Sequence, residues 1–122
     1  MAKCYFVRLN NTATGAQFYK FGYTGSWDVE DRVKRIAEDY PHISYKIMKS
    51  VYHSDASKVK KLEEYFLKKY PKNIWINEKL SGVTEIVSLP SHEVSKVLKE
   101  MSYISNRFYN ERKEELALEA SS

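Results

Sequence analysis

One acidic residue, Glu63, falls on the apolar face of a helix that the sequence predicts between residues 59 and 70. At about 100° per residue, the apolar positions of this segment form one stripe, made of Val59, Leu62, Phe66, Leu67 and Tyr70. Glu63 lies inside that stripe, whereas Glu64 points to water with the lysines. Because an unpaired buried carboxylate is costly, such a group is neutralised, ion-paired or bound to a metal. Glu63 therefore marks either a functional site or a buried salt bridge.

Lysines surround the same helix, at positions 58, 60, 61, 68, 69 and 72. The chain carries a net charge of +4 and has a pI near 9.0, which mildly favours an anionic partner such as nucleic acid. We expect Lys60, Lys61, Lys68 and Arg35 to contact that partner. The alternative is an ordinary solvated helix face.

A chain of 122 residues with 43% hydrophobic content fits one compact domain. No apolar run approaches the roughly 18 residues that a membrane span requires, and no signal-peptide core is visible. We therefore expect a soluble, cytoplasmic protein that does not bind membranes. The single cysteine, Cys4, excludes an internal disulfide, and we expect it in the core. His42, His53 and His92 lack the spacing of zinc ligands.

The elements that must position these residues begin with a β-hairpin, predicted from the β-rich residues 4–9 and 18–23 and the polar turn between them. Side chains alternate along a strand. On the first strand, Tyr5 is a candidate for chemistry. On the second strand, Lys20 shares a face with Gly22.

The rest of the chain predicts helices around a third strand. A helix begins near Val29 and carries Arg32 at the margin of its apolar stripe. Residues 43–51 alternate imperfectly and predict the third strand, and residues 84–89 predict a short one. A terminal helix from residue 91 either packs on the domain or pairs with a second copy. Its apolar seam comprises Val94, Val97, Leu98, Met101, Ile104 and Phe108, with Tyr109 as a further candidate.

Together these elements predict an α+β fold. A small, mainly antiparallel three-stranded sheet, made of the hairpin and the third strand, is flanked by helices and followed by a C-terminal helix. We divide the chain into a domain at residues 1–90 and a C-terminal helix at residues 91–118. The charged tail, residues 111–122, is expected to fray. The apolar seam also allows a homodimer through the C-terminal helix.

The order of the candidate residues resembles the GIY-YIG nuclease superfamily. Residues 4–6 resemble its first motif, with Tyr5 at that motif's tyrosine, and residues 20–22 resemble the second. Arg32 matches the family's arginine on the next helix, and Glu63 matches its metal-binding glutamate. The similarity extends to phage-type sequences with a Tyr-Lys-Phe-Gly-Tyr-Thr second motif. Each motif is short, so the resemblance rests on their order and spacing.

This resemblance implies a metal-dependent endonuclease that hydrolyses phosphodiester bonds in DNA. Glu63 would hold Mg²⁺ or Mn²⁺, Arg32 would stabilise the scissile phosphate, and Tyr5 would act on water as the general base. Lys20 would supply a cation beside Tyr5 or contact phosphate. Tyr23 would hydrogen-bond phosphate or water.

Departures from the family pattern keep other interpretations open. Lys20 stands where most members have a tyrosine, and Ile36 stands where several have histidine or tyrosine. Arg32 and Glu63 could instead form an internal salt bridge without catalysis. The chain could then be an inactive relative that binds nucleic acid or protein, or a structural domain that assembles through its terminal helix.

Overall fold

The predicted hairpin and third strand form the centre of the structure, a computed structural model that describes residues 2–15, 17–25, 29–38, 42–70, 86–87 and 89–121. For residues 32, 36, 37, 86, 87 and 121, only the backbone is described. In chain order the elements are β1 (Ala2–Asn11), β2 (Gln17–Thr24), α1 (Val29–Glu38), β3 (Ile43–His53), α2 (Ala56–Lys69), β4 (Ile86–Val87) and α3 (Ser91–Ser121). The antiparallel strands are ordered β3-β1-β2-β4 across one sheet.

This arrangement confirms the predicted α+β class, with helices flanking three long antiparallel strands and a helix at the C-terminal end. β4 adds a two-residue strand beside β2, inside the predicted strand segment 84–89. α3 begins at Ser91, where the predicted C-terminal helix starts. Among the helices of the described part of the chain, none is long and apolar enough to cross a membrane.

β1 lies in the middle of the sheet and contributes buried side chains to both faces. On one face, Tyr5, Val7 and Leu9 pack against Val29 and Val33 of α1, and we call this cluster the α1-side core. The cluster on the opposite face, the α2/α3-side core, includes Cys4, Phe6, Phe21, Val51, Val59, Leu62, Phe66, Val97 and Met101. The predicted burial of Cys4 is thus confirmed.

A β-bulge explains why the third strand alternates imperfectly in sequence. Val7 pairs with Ile47, but Cys4 pairs with Val51, so β3 contains one extra residue relative to β1, at Met48. Ile47 consequently packs on the α1-side core, whereas Val51 belongs to the α2/α3-side core. Odd-numbered residues of β3 therefore point to one face of the sheet before the bulge and to the other face after it.

α2 begins directly after a capping residue, Asp55, and carries apolar residues at helical spacing. The Asp55 carboxylate accepts a hydrogen bond from the backbone N–H of Ser57 at 3.0 Å, which satisfies a free donor at the helix start. The apolar stripe packs on the α2/α3-side core, as predicted. Phe66 stacks on Phe21 with ring centroids 4.9 Å apart. Burial of one such aromatic side chain stabilises the fold by about 1.5–3 kcal/mol.

The apolar seam of α3 packs on the domain, which is one of the two predicted alternatives. Val97 and Met101 are fully buried in the α2/α3-side core, and Phe108 also belongs to it. Tyr109, the further candidate for the seam, is instead exposed. The predicted homodimer rested on this seam, which the chain covers itself. A dimer through α3 would therefore have to use the exposed residues of that helix.

The C-terminal end of α3 differs from the prediction. The helix continues past residue 118 to Ser121, and it therefore includes residues 111–121 of the tail that was expected to fray. The tail is rich in Glu, Leu, Ala, Arg and Lys, which have strong helix propensity. Arg107 also pairs with Glu111 one turn further on, at 3.6 Å. Local propensity therefore extends the helix through residues 112–120, which are exposed.

The Tyr5 ring crosses β2 at Gly22, the residue that pairs with it in the hairpin. A Cβ atom on Gly22 would overlap the Tyr5 ring carbons and hydroxyl. Glycine is therefore required at position 22 for close approach, and its backbone does not have a positive φ. The second strand thus leaves space for Tyr5 to lie flat across it.

We predict that Gly22→Ala lowers the free energy of unfolding by about 1–3 kcal/mol, because the added methyl group overpacks a closed contact. The measurement is urea unfolding followed by circular dichroism. The control is a double-mutant cycle with Tyr5→Ala, in which most of the cost of Gly22→Ala should disappear. An equal cost in both backgrounds would contradict this explanation.

Candidate active site

Tyr5 and Lys20 come together on the α1 side of the sheet. They are 1% and 2% exposed, and Lys20 Nζ lies 5.9 Å from the centroid of the Tyr5 ring. The placement of Lys20 on this face follows from strand alternation and from its pairing with Val7, which belongs to the α1-side core. An ammonium group at this distance from an aromatic face is attracted electrostatically. The structure therefore joins two of the predicted catalytic residues.

Arg32 belongs to α1, which packs on this same face through Val29 and Val33. The backbone at position 32 is helical, as predicted, while the Arg32 side chain lies outside the described residues. The same holds for Ile36, the position at which the chain departs from the family pattern.

Glu63 is buried within the stripe of α2, as predicted, and is 5% exposed. α2 packs on the face of the sheet opposite to Tyr5 and Lys20. Among the described residues, Glu63 is the one buried carboxylate. Its burial agrees with both sequence interpretations, a functional site and a buried salt bridge.

Tyr23 lies on the α2 side and not beside Lys20. Its ring packs against the α2/α3-side core, and Lys60 Nζ lies 5.2 Å from the ring centroid. The described candidates therefore divide into two pairs on the two faces of β2, Tyr5 with Lys20 and Tyr23 with Glu63. β4 pairs only with residues 19 and 20 of β2 in the described structure. A single site that contained both pairs would have to extend around the edge of β2 past residue 20.

The predicted nucleic-acid contacts occupy two separate surfaces. Lys60, Lys61 and Lys68 are exposed on α2. Arg35 is exposed on α1, where its guanidinium lies 3.3 Å from the Asp31 carboxylate. Because α1 and α2 cover opposite faces of the sheet, Arg35 does not continue the lysine surface of α2.

Sequence analysis missed a groove of about 480 Å³ between α2 and α3. Its floor is apolar, formed by Leu62, Ile104 and Phe108. The remaining residues that line it are Lys58, Lys61, Tyr65, Glu100, Tyr103, Arg107 and Glu111. The available signal was the position of Tyr65 and Tyr103 outside the apolar stripes of their helices, where aromatic residues are exposed.

Two ion pairs join the helices at the ends of this groove. Lys58 Nζ lies 3.0 Å from Glu111 Oε2, and Lys69 Nζ lies 2.8 Å from Glu100 Oε2. The partners are 11 residues apart on both helices and in reversed order, so α2 and α3 run antiparallel with the pairs about 16 Å apart. The buried His53 also directs Nε2 toward Glu111 Oε2, at 3.5 Å.

These contacts shift the pKa values of the carboxyl groups of Glu100 and Glu111 on α3. The hydrogen bond from Lys58 lowers the pKa of Glu111 below its usual value of 4.5. Burial alone would raise the pKa of Glu100, but hydrogen bonds from Lys69 and Tyr65 outweigh it and the pKa falls. Hydrogen bonds to Glu100 and Tyr65 raise the pKa of Lys69. Both pairs are therefore charged at neutral pH.

Searches of protein-family models, curated proteins and solved structures find no match to this chain. Within the described ranges, no three His, Cys, Asp or Glu side chains form a cluster that could hold a metal ion. Mg²⁺ is often held by one or two carboxylates, with water and substrate phosphate as its other ligands. A single buried carboxylate such as Glu63 fits that mode and does not fit a cage made entirely of protein ligands.

We predict that acid weakens the fold by breaking the two α2–α3 ion pairs. Because the folded-state pKa values of Glu100 and Glu111 are lowered, their contribution is complete above about pH 4.5 and is lost as pH falls through the lowered values. The measurement is the thermal midpoint between pH 3 and pH 7. The double variant Glu100→Gln, Glu111→Gln should start lower at pH 7 and fall less steeply.

The matched control is Glu114→Gln, which removes an exposed carboxylate from the same helix. Its pH profile should follow the parent. If the double variant declined in parallel with the parent, the ion pairs would not be the cause of the acid sensitivity.

Proposed function

We propose that the chain is a metal-dependent endonuclease that hydrolyses phosphodiester bonds in DNA. The observation that carries this proposal is the burial of two opposite charges, those of Lys20 and Glu63. Burying charge in a domain of this size opposes folding unless each group is compensated. The order of the four family-like residues along the chain, in an α+β fold of the implied kind, adds support.

In this proposal each residue has a separate task. Arg32 binds the scissile phosphate, because its planar guanidinium remains charged and matches phosphate oxygens. The Tyr5 phenolate takes a proton from the attacking water and becomes the neutral phenol, which leaves hydroxide to attack the phosphorus. Lys20 stabilises the phenolate before this transfer from its position beside the ring. Glu63 holds Mg²⁺ or Mn²⁺, which would supply positive charge where it develops on the phosphate. Tyr23 donates a hydrogen bond to phosphate or water.

The proposed substrate position is the edge of β2 at residues 22–24. Tyr5 lies across Gly22 on one face there, and Tyr23 projects from the other. A phosphodiester at this edge could be approached from both faces. This position also explains why close packing at Gly22 matters for the site as well as for the fold.

A second candidate is a catalytically inactive relative that binds nucleic acid or protein. The observation that favours it is the division of the described candidates between two faces of the sheet. Under this hypothesis, Lys60, Lys61 and Lys68 provide phosphate contacts, and the buried charges have structural roles.

The test is nicking of supercoiled plasmid with Mg²⁺ or Mn²⁺. We expect the parent to convert plasmid to the open circular form, and Glu63→Gln and Arg32→Lys each to reduce the rate by at least about 100-fold. Glu64→Gln is the matched control, because it removes an exposed carboxylate at the next position of the helix. It should leave the rate unchanged. A parent that binds DNA without cutting it would establish the inactive alternative.

Thermal unfolding of the same variants distinguishes the two interpretations of Glu63, a functional site and a buried salt bridge. A carboxylate kept for function leaves the fold as stable or more stable when it is neutralised, so Glu63→Gln should keep or raise the midpoint. Removal of one partner of a buried salt bridge would instead cost about 3–5 kcal/mol. A loss of that size, together with an inactive parent, would reject the nuclease.

A further inference from the structure

The groove between α2 and α3 presents aromatic rings to solvent. Tyr103 is 67% exposed and Tyr65 is 46% exposed, one on each wall. Lys69 Nζ lies 5.5 Å from the centroid of the Tyr65 ring, and it donates a hydrogen bond to the Tyr65 hydroxyl at 3.3 Å. Tyr65 is therefore held in place on one wall. Tyr103 offers the larger open ring surface on the other.

Positive charge exceeds negative charge around these rings. The basic residues that line the groove are Lys58, Lys61 and Arg107, and the acidic residues are Glu100 and Glu111. Each carboxylate already has an ammonium partner at 3.0 Å or less. A ligand in the groove would therefore meet a net charge of about +1, from three cations and two anions.

We propose that the α2–α3 groove binds single-stranded nucleic acid, with unpaired bases stacked on Tyr103 and the backbone phosphates near Lys61 and Arg107. This inference rests on the nucleic-acid partner of the proposed function. A cationic groove with exposed aromatic rings is the arrangement by which proteins bind single strands. In a duplex the bases are already stacked and paired, so an exposed tyrosine has no base face to contact.

The two ion pairs lie about 16 Å apart along the helices that form the groove. They connect its walls directly, so the two tyrosines do not depend on loops for their positions. A second copy of the chain is a poorer occupant, because a two-fold contact would bring two surfaces of the same positive charge together.

The test is fluorescence anisotropy with a labelled oligothymidine of about 15 nucleotides, in EDTA so that cleavage cannot occur. A duplex of equal length serves as the comparison, and several KCl concentrations are used. We expect the parent to bind the single strand more tightly than the duplex. Tyr103→Ala should weaken single-strand binding by about fivefold or more, since one stacked base contributes about 1–3 kcal/mol. Tyr103→Phe should retain binding.

Lys61→Gln should weaken binding and reduce the slope of log affinity against log salt by about 0.7, as expected for one phosphate contact to a single strand. The matched control is Tyr109→Ala, because Tyr109 is 66% exposed on the same helix but lines a different recess with Tyr52 and Arg112. It should leave affinity unchanged. Thermal midpoints confirm that each variant is folded.

The outcomes separate this inference from the proposed function. If the parent binds neither strand form, the nucleic-acid partner is wrong and both proposals fail. If the parent binds nucleic acid but Tyr103→Ala behaves like Tyr109→Ala, or if the duplex binds more tightly, the groove proposal is overturned and the nuclease proposal stands. Tighter binding of an acidic peptide than of the oligonucleotide would also overturn it.

Discussion

The burial of β1 on both faces, with a strand paired to each of its edges, determines where every other element can lie. Alternation sends Tyr5 to the α1 side and Phe6 to the α2/α3 side. A change of register by one residue would exchange these faces and place the Tyr5 hydroxyl among the aromatic rings of α2. The bulge at Met48 lets β3 follow β1 without this exchange. Packing of both cores therefore fixes which face carries each candidate side chain.

The same constraint makes the buried charges informative. Lys20 points to the α1 side because its neighbours along β2, Tyr19 and Phe21, point to the α2/α3 side. If β2 turned over to expose Lys20, Tyr19 and Phe21 would no longer pack in the α2/α3-side core. Glu63 is placed in an equivalent way by Val59 and Phe66 on α2. The apolar residues beside each charge therefore fix the side of the sheet on which it is buried.

Periodicity predicted the features that depend on one element at a time. The burial of Glu63, the hairpin and the seam of α3 follow from local spacing, and all are found. The placement of Tyr23 opposite Lys20 was also available from alternation, because the two differ by an odd number of positions. The groove between α2 and α3 was not, since it depends on the antiparallel approach of two helices. The length of α3 was underestimated because its exposed end lacks the apolar spacing from which the helix was predicted, although its residues have strong helix propensity.

α2 contributes to both the proposed catalytic site and the proposed binding groove, through side chains on different sides of the helix. Tyr65 follows Glu63 by two residues, so the side chains point about 200° apart around the helix. A strand in the groove would have to cross the outer surface of α2 to reach the β2 edge. Lys61, Lys68 and Lys60 are exposed on that surface, with Glu64 among them. Under the two proposals, a strand that crossed this surface would pass these three lysines, and they would supply its phosphate contacts.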